Sequence, residues 1–339
     1  MTGVQGFSSW RPAFARALYG PDGFYTGTRR PVSHYRTSPT ASPRFAAAIA
    51  RLLAAVDASL DRPPRLDVVD MGAGGGELLA GLAALAVPER WQLTAVDVLD
   101  RPDALPERVA WQPEPPERIV GVVVANEWLD NVPVEVVEQT AGGPRIIEVT
   151  RTGAERVGPL PDVEDERWLR RWWPLTRVGQ RAEVGRDRDA AWAGLMGRLE
   201  CGVAVAVDYP VVPASAPTGT LTGFRDGRQV PPVPDASTDL TAAVLFGSLV
   251  VAGEWAARVP PATVLLDQRE ALRALGLGAA RPPQPMAATD PLGYLRALGT
   301  AGEDAELMDP AGLGGFSWLV QAVGVPLPVR PAAEPPPIR

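Results

Sequence analysis

Apolar residues along this chain gather into short unbroken runs in some stretches and into helical spacing in others. LDVVDM (residues 66–71), LTAV (93–96) and VVVA (122–125) are short, β-branched and nearly free of charge. Runs of that kind predict buried strands. Glu77-Leu-Leu-Ala opens a helical pattern between the first two, so residues 66–138 read as βαβ units of a parallel sheet. Two further strands are expected at 203–207 and 316–323. Helical spacing at 10–19 and 43–60 is broken by Gly20-Pro-Asp-Gly23 and by the turn formers of 31–39. Residues 134–140 and 145–150 flank Ala141-Gly-Gly-Pro144 and predict a hairpin. The polar, tryptophan-rich stretch 155–198 reads as helical, and 213–239, rich in Pro, Gly and Thr, as a long surface loop. Helices are expected at 239–252, 266–277 and 290–299. The closing PLPVRPAAEPPPIR reads as an irregular tail.

Each strand-like run ends on a polar or glycine-rich element, where an open α/β sheet binds its ligand. After the first run come Gly72, Gly74, Gly75 and Gly76, and such a turn lets backbone approach a ligand closely. A dinucleotide fingerprint beginning at Gly72 and Gly74 needs a third glycine at 77, but Glu77 stands there. A carboxylate in that first helical turn opposes a pyrophosphate. The glycines fall instead at 72, 74 and 76, two residues after Asp70. This Asp-x-Gly-x-Gly-x-Gly spacing resembles the first motif of class I S-adenosylmethionine (SAM) methyltransferases, whose cofactor carries no phosphate. Asp97 ends the second run about 20 residues beyond the glycines, where a ribose-binding acid is expected. Its two oxygens suit two hydroxyls. The expected cofactor residues are Asp70, Gly72, Ala73, Gly74, Gly76, Asp97, Val98 and Asn126. Asp70 either holds the methionine amino group through water or orients the turn.

Composition narrows the class. No apolar run approaches the length of a membrane span, and the N-terminus lacks a basic segment followed by an apolar core, so a soluble chain without a secretory signal is expected. One cysteine, Cys201, excludes an internal disulfide framework, and with one histidine, His34, it argues against a zinc site. A reducing cytoplasm fits. Net charge is −7, and this overall acidity argues against a nucleic-acid partner; all 33 basic residues are arginine, which reads as a coding bias rather than a function. The densest basic stretch, residues 167–177, contains Trp168, Trp172 and Trp173. It reads as an amphipathic helix with packed tryptophans and solvated arginines.

The only two asparagines, Asn126 and Asn131, lie in ANEWLDNVPVE. Asn126 closes the VVVA run, where its side-chain carbonyl could accept a hydrogen bond from a substrate nitrogen. Glu127 and Asp130 are three apart and share a face if the segment is helical, which would let them hold a guanidinium by forked hydrogen bonds. Otherwise Glu127 begins a helix and Asp130 is exposed. His34 reads as structural or surface, and Cys201 as a helix-end core residue. Thr37 and Ser38 either touch the cofactor carboxylate or satisfy the turn before Pro39.

ANEWLDNVPVE resembles the N-E-hydrophobic-hydrophobic-D-A-hydrophobic-P-V motif of the MidA-like family. That family includes the mitochondrial complex I assembly methyltransferase, which dimethylates a protein arginine. YGPDGFY (19–25), YRTSP (35–39), VDYP (207–210), GTLTGFRDG (219–227), DLTAAV (239–244) and LGGFSWLV (313–320) resemble further blocks in the same order. The likeness spans roughly residues 19–323. Departures fall on the substrate side: Ala243 for histidine, Pro210 for glycine, His34 for aspartate and Asn131 for alanine.

The resemblance implies an α/β chain with the Rossmann-like class I SAM-methyltransferase fold, a mostly parallel seven-strand sheet. Residues 1–60 would form an N-terminal helical lid. Residues 61–326 would form the core, with inserted helical and loop elements near 134–200 and 210–260, and 327–339 the tail. The implied function is SAM-dependent methylation of a protein arginine, with Asn126, Glu127 and Asp130 as the catalytic group. The alternatives are a small-molecule methyltransferase and a non-catalytic scaffold that keeps the fold. No metal, nucleic-acid or membrane partner is expected.

Overall fold

The structure, a computed structural model, describes residues 6–27 and 37–330. His34 and the Tyr35-Arg36 pair of the YRTSP block lie outside the described residues, as do residues 331–339. The described residues form two compact units, one from 37–126, 198–207 and 258–330, the other from 6–27, 127–197 and 208–257.

The first unit holds a seven-stranded sheet. Its strands in chain order are β1 (Leu66–Met71), β2 (Trp91–Val96), β3 (Ala110–Gln112), β4 (Ile119–Asn126), β5 (Leu199–Asp208), β6 (Ala262–Asp267) and β7 (Ser317–Val323), and their spatial order is β6-β7-β5-β4-β1-β2-β3. Strands β1 to β5 pair in parallel, while β6 and β7 pair antiparallel. The expected fold class is therefore what the chain adopts. Val68, Val122, Val124, Val203 and Val205 lie in the core, buried as their charge-free runs predict. Phe45, Ile49, Leu52 and Leu53, on one stripe of the helix Pro43–Ser59, are fully buried in the same core, and Phe45 meets Trp318 edge to face. That helix belongs to the sheet unit, so residues 1–60 do not form a single segment: the earlier helix Trp10–Tyr19 buries Trp10, Phe14 and Leu18 in the core of the second unit. The tail starts later than 327, because Val329 is buried and Leu327 packs against the core.

The second unit is antiparallel. Glu135–Thr140 and Gly143–Val149 form the expected hairpin, extended by Arg181–Val184 on one side and Ser8–Ser9 on the other. Residues 155–198 are not one helical stretch. Helices Val163–Trp172 and Arg186–Arg198 enclose the strand Arg181–Val184, whose burial against Val137 outweighs its weak sequence signal. Trp168 and Trp173 are buried, while Arg167 and Arg170 pair with Glu164 and Glu166 on the outer face, as the amphipathic reading predicts. The expected loop at 213–239 contains a hairpin, Thr222–Arg225 with Arg228–Val230, joined by Asp239–Thr241 into a three-stranded sheet. Strand also replaces the start of two expected helices, at Asp239–Thr241 and Ala262–Asp267. Among the described residues no helix is long and apolar enough to cross a membrane, and no group of acidic, His or Cys side chains could hold a metal.

Candidate functional site

Strand order in the sheet reverses at β1: the chain runs outward through β2 and β3, then returns to β4 on the other side. The carboxyl ends at such a switch point are where an open α/β sheet takes its ligand. The glycine turn leaves β1 there, and Asn126 closes β4. Gly72, Gly74 and Gly76 have φ of 65, 58 and 79°, a left-handed backbone that glycine adopts without the Cβ penalty. A Cβ on Gly74 would meet only the far edge of the Glu77 carboxylate, 3.9 Å away, so at Gly74 the turn presents bare backbone to open space.

The hydrogen bonds of this turn decide what it can hold. Gly72 and Ala73 N–H donate to the Val96 carbonyl, and Gly76 N–H to the Ala73 carbonyl. Gly74 N–H donates to Asp97 Oδ2 at 2.8 Å, and Gly75 N–H to Glu77 Oε2 at 3.1 Å. All five amides from 72 to 76 thus have acceptors within the protein, leaving none of them for a pyrophosphate. Asp97 also accepts the Leu99 N–H at 2.9 Å. Burial pushes the Asp97 carboxyl above its usual range against the pull of those amides. Asp70 is buried, and burial with the nearby Asp97 and Glu77 charges pushes it well above the usual carboxylate range. The site therefore offers carboxylate acceptors and no spare amide donor in the turn. Those residues fit a phosphate-free cofactor with hydroxyls and positive charge. Val98 is exposed beside Asp97.

Thr37 and Ser38 take structural partners. Thr37 caps the short helix Ser38–Ala41, its hydroxyl against that of Thr40. The Ser38 hydroxyl is fully buried with Gln268, which also binds the Leu307 carbonyl and accepts the Trp318 indole N–H. The Ser38 hydroxyl, enclosed in this way, faces protein, whereas the Thr37 hydroxyl caps the turn, where its contact with Thr40 is exposed.

The second unit carries a different constellation. Glu127 has φ 51°, a left-handed conformation that costs an L-residue of order 1 kcal/mol or more. A 3-10 turn, Leu129–Asn131, follows. Glu127 and Asp130 therefore do not share a helix face, because the strained residue stands outside the helical turn, and neither alternative, a helix starting at Glu127 or an exposed Asp130, is found. Asp130 is 8% exposed. Its Oδ2 accepts the Thr241 hydroxyl at 2.7 Å, its N–H donates to Asp208 Oδ2 at 3.1 Å, and its Oδ1 has no hydrogen-bond partner among the described residues. Asp208 is almost wholly buried, and burial with the Asp130 charge pushes its carboxyl well above the usual range. Burial also raises Asp130. The buried Arg188 does not form an ion pair with either. Its guanidinium donates to the carbonyls of Asp130, Val132 and Ala243 at 2.7, 3.2 and 2.8 Å and ties those segments together.

Asn131 is occupied by the fold. Its Oδ1 accepts the Tyr25 hydroxyl at 2.9 Å, and its Nδ2 donates to Asp239 Oδ1 and to the Leu240 carbonyl. Tyr25 also reaches Asp239 Oδ2 at 2.9 Å, and Tyr19 the Asn131 carbonyl. Burial pushes the Asp239 carboxyl up to about 8. Arg188, Asp208 and Asp239 were not singled out from sequence. Asp208 and Asp239 lie in recognisable blocks, VDYP and DLTAAV, but Arg188 lies in a polar helix with no signal of its burial.

Residues 48–261 match a protein family described as "Putative S-adenosyl-L-methionine-dependent methyltransferase". The chain is similar to a Burkholderia thailandensis protein solved bound to S-adenosyl-homocysteine, at 27% identity and a TM-score of 0.78, covering 95% of this chain and 89% of that one. It is also similar, at 27% identity and a TM-score of 0.76, to an uncharacterized protein from the same organism, covering 95% of this chain and 88% of that one. No curated protein matches the sequence.

Proposed function

Given that the chain belongs to this family of S-adenosyl-L-methionine-dependent methyltransferases, we propose that it methylates an arginine side chain of a protein. The bound cofactor supplies a methyl group already activated for displacement. Asp97 would hold the ribose hydroxyls and Asp70 the amino group, with the backbone at Gly74 admitting the remainder; that a similar protein is solved bound to S-adenosyl-homocysteine supports a cofactor of this kind. The acceptor nitrogen gains the methyl carbon as the sulfur–carbon bond breaks, the sulfur keeps the electron pair, and the nitrogen sheds a proton. Positioning and charge placement suffice for such a displacement, so a chain with one histidine is adequate to it.

The observation that carries the arginine reading is the pair of buried carboxylates, Asp130 and Asp208, with the Glu127 charge also acting on Asp208. Asp130 Oδ1 has no hydrogen-bond partner among the described residues, and the neighbouring Arg188, whose charge acts on both carboxylates, gives its hydrogen bonds to main-chain carbonyls. Such a cluster favours a cationic acceptor, and a guanidinium matches carboxylates by forked hydrogen bonds.

The test uses labelled SAM and protein extract from a strain lacking the gene, followed by mass spectrometry. Methylarginine in a protein is the expected product; label confined to small molecules would replace the acceptor class, and label in neither would favour a scaffold. Glu127→Gln should lower transfer roughly tenfold to a thousandfold, about 1.5–4 kcal/mol, with SAM affinity nearly unchanged. Equal loss of SAM affinity would assign Glu127 to the cofactor or the fold.

A further inference from the structure

We propose that Glu77 makes the cofactor site select for positive charge, so that the site distinguishes the methyl donor from its demethylated product. The proposal rests on the cofactor reading above and adds a residue which that reading does not use.

Three carboxylates, Asp70, Asp97 and Glu77, surround one glycine turn. Asp97 and Glu77 both act electrostatically on Asp70, and no arginine is among the groups acting on Asp70 or Asp97. Glu77 is held at the turn by two features. Its Oε2 accepts the Gly75 N–H, and its carboxylate lies where Gly75 has no side chain, since a Cβ there would stand 2.8 Å from Glu77 Cδ. Glu77 also begins the helix Glu77–Ala84, so it cancels the positive end of that helix at the mouth of the turn. The local field is therefore negative where a helix start would ordinarily attract an anion.

The two forms of the cofactor differ in the property this field reads. The donor carries a sulfonium, an ammonium and a carboxylate, a net charge of about +1, and the product, having lost the sulfonium charge, is neutral overall. A fixed negative charge favours the first over the second through Coulomb attraction, by roughly threefold to tenfold for one carboxylate several ångströms away in a partly solvated site. Binding of the donor and release of the spent product would both gain from it.

Calorimetry with SAM, S-adenosylhomocysteine and sinefungin tests this, because sinefungin places an ammonium where the sulfonium stands and cannot transfer a methyl group. Glu77→Gln keeps size and leaves an oxygen to accept the Gly75 N–H. It should weaken SAM and sinefungin roughly threefold to tenfold and leave S-adenosylhomocysteine unchanged. In the unaltered protein, raising ionic strength should likewise weaken the two cationic ligands more than the neutral one. Equal changes for all three ligands in Glu77→Gln, or no difference in salt dependence, would overturn the charge selection and leave the cofactor reading standing. Failure of all three to bind the unaltered protein would overturn the cofactor reading, and the proposal with it.

Discussion

The two units of the chain place their acidic side chains in different ways. In the sheet unit, Glu77 accepts an amide two residues before it and Asp97 one in the preceding strand-to-helix turn. Asp97 is only partly buried and its hydrogen bonds go to backbone. In the antiparallel unit the partners are far apart in sequence: Asp130 with Thr241, Asn131 with Asp239, Tyr25 with Asp239. There the groups are buried and side chains satisfy side chains, at a desolvation cost visible in the raised carboxyls of Asp208 and Asp239. One unit presents a ligand surface made of main chain, whereas the other holds a charged cluster in place with a long-range polar network. Substitutions at the glycine turn should therefore act on cofactor binding, and substitutions in the Tyr25–Asn131–Asp239 network on stability and its pH dependence.

The largest expected effect is at the turn. Gly74→Val puts a branched side chain into the open space beside Glu77 and forces φ near 58° on a β-branched residue. S-adenosylhomocysteine affinity should fall by roughly a hundredfold or more, read by calorimetry, with circular dichroism retaining the α/β signature. Retained affinity would place the cofactor elsewhere. Asp97→Ala should follow, weakening SAM by roughly 1.5–3 kcal/mol, the range for hydrogen bonds to a charged acceptor. Unchanged affinity would remove Asp97 from the site.

The smallest effect belongs to the other unit. Burial lifts Asp239 to about 8, well above its unfolded value, so the folded chain keeps a proton that the unfolded chain releases. The resulting stability is complete below about pH 4 and is lost as pH rises through about 8. Asp239→Asn, which mimics the protonated acid, should match the unaltered protein near pH 4 and exceed it by on the order of 1–2 kcal/mol at pH 9 in urea unfolding. Parallel pH profiles for the two proteins would contradict the buried network as described.

The same contrast explains what the sequence disclosed. Leu66–Met71, the glycines and Asp97 follow rules that operate over a few residues: a buried run, positive φ, an acid at the next strand end. The seven-strand sheet and the turn were legible for that reason. The strand Arg181–Val184 was not, because a polar segment becomes a strand through pairing with Glu135–Thr140 about forty residues earlier. Asn131 illustrates the same limit. The rarity of asparagine in this chain marks it as retained for an amide, but only the fold shows that the amide ties Tyr25 to Asp239. Glu127 and Asp130 failed as a helical pair because a left-handed residue at 127 breaks the spacing rule, and no local signal announces it.

The turn from Gly72 to Gly76 is built for a phosphate-free cofactor, since its five amides already have acceptors and two of those are carboxylates. Thermal unfolding with each ligand tests it most directly, because a ligand stabilises only the state it binds. S-adenosylhomocysteine should raise the melting temperature in proportion to the logarithm of its concentration, and NAD at the same concentrations should leave it unchanged. A shift with NAD and none with S-adenosylhomocysteine would contradict the claim.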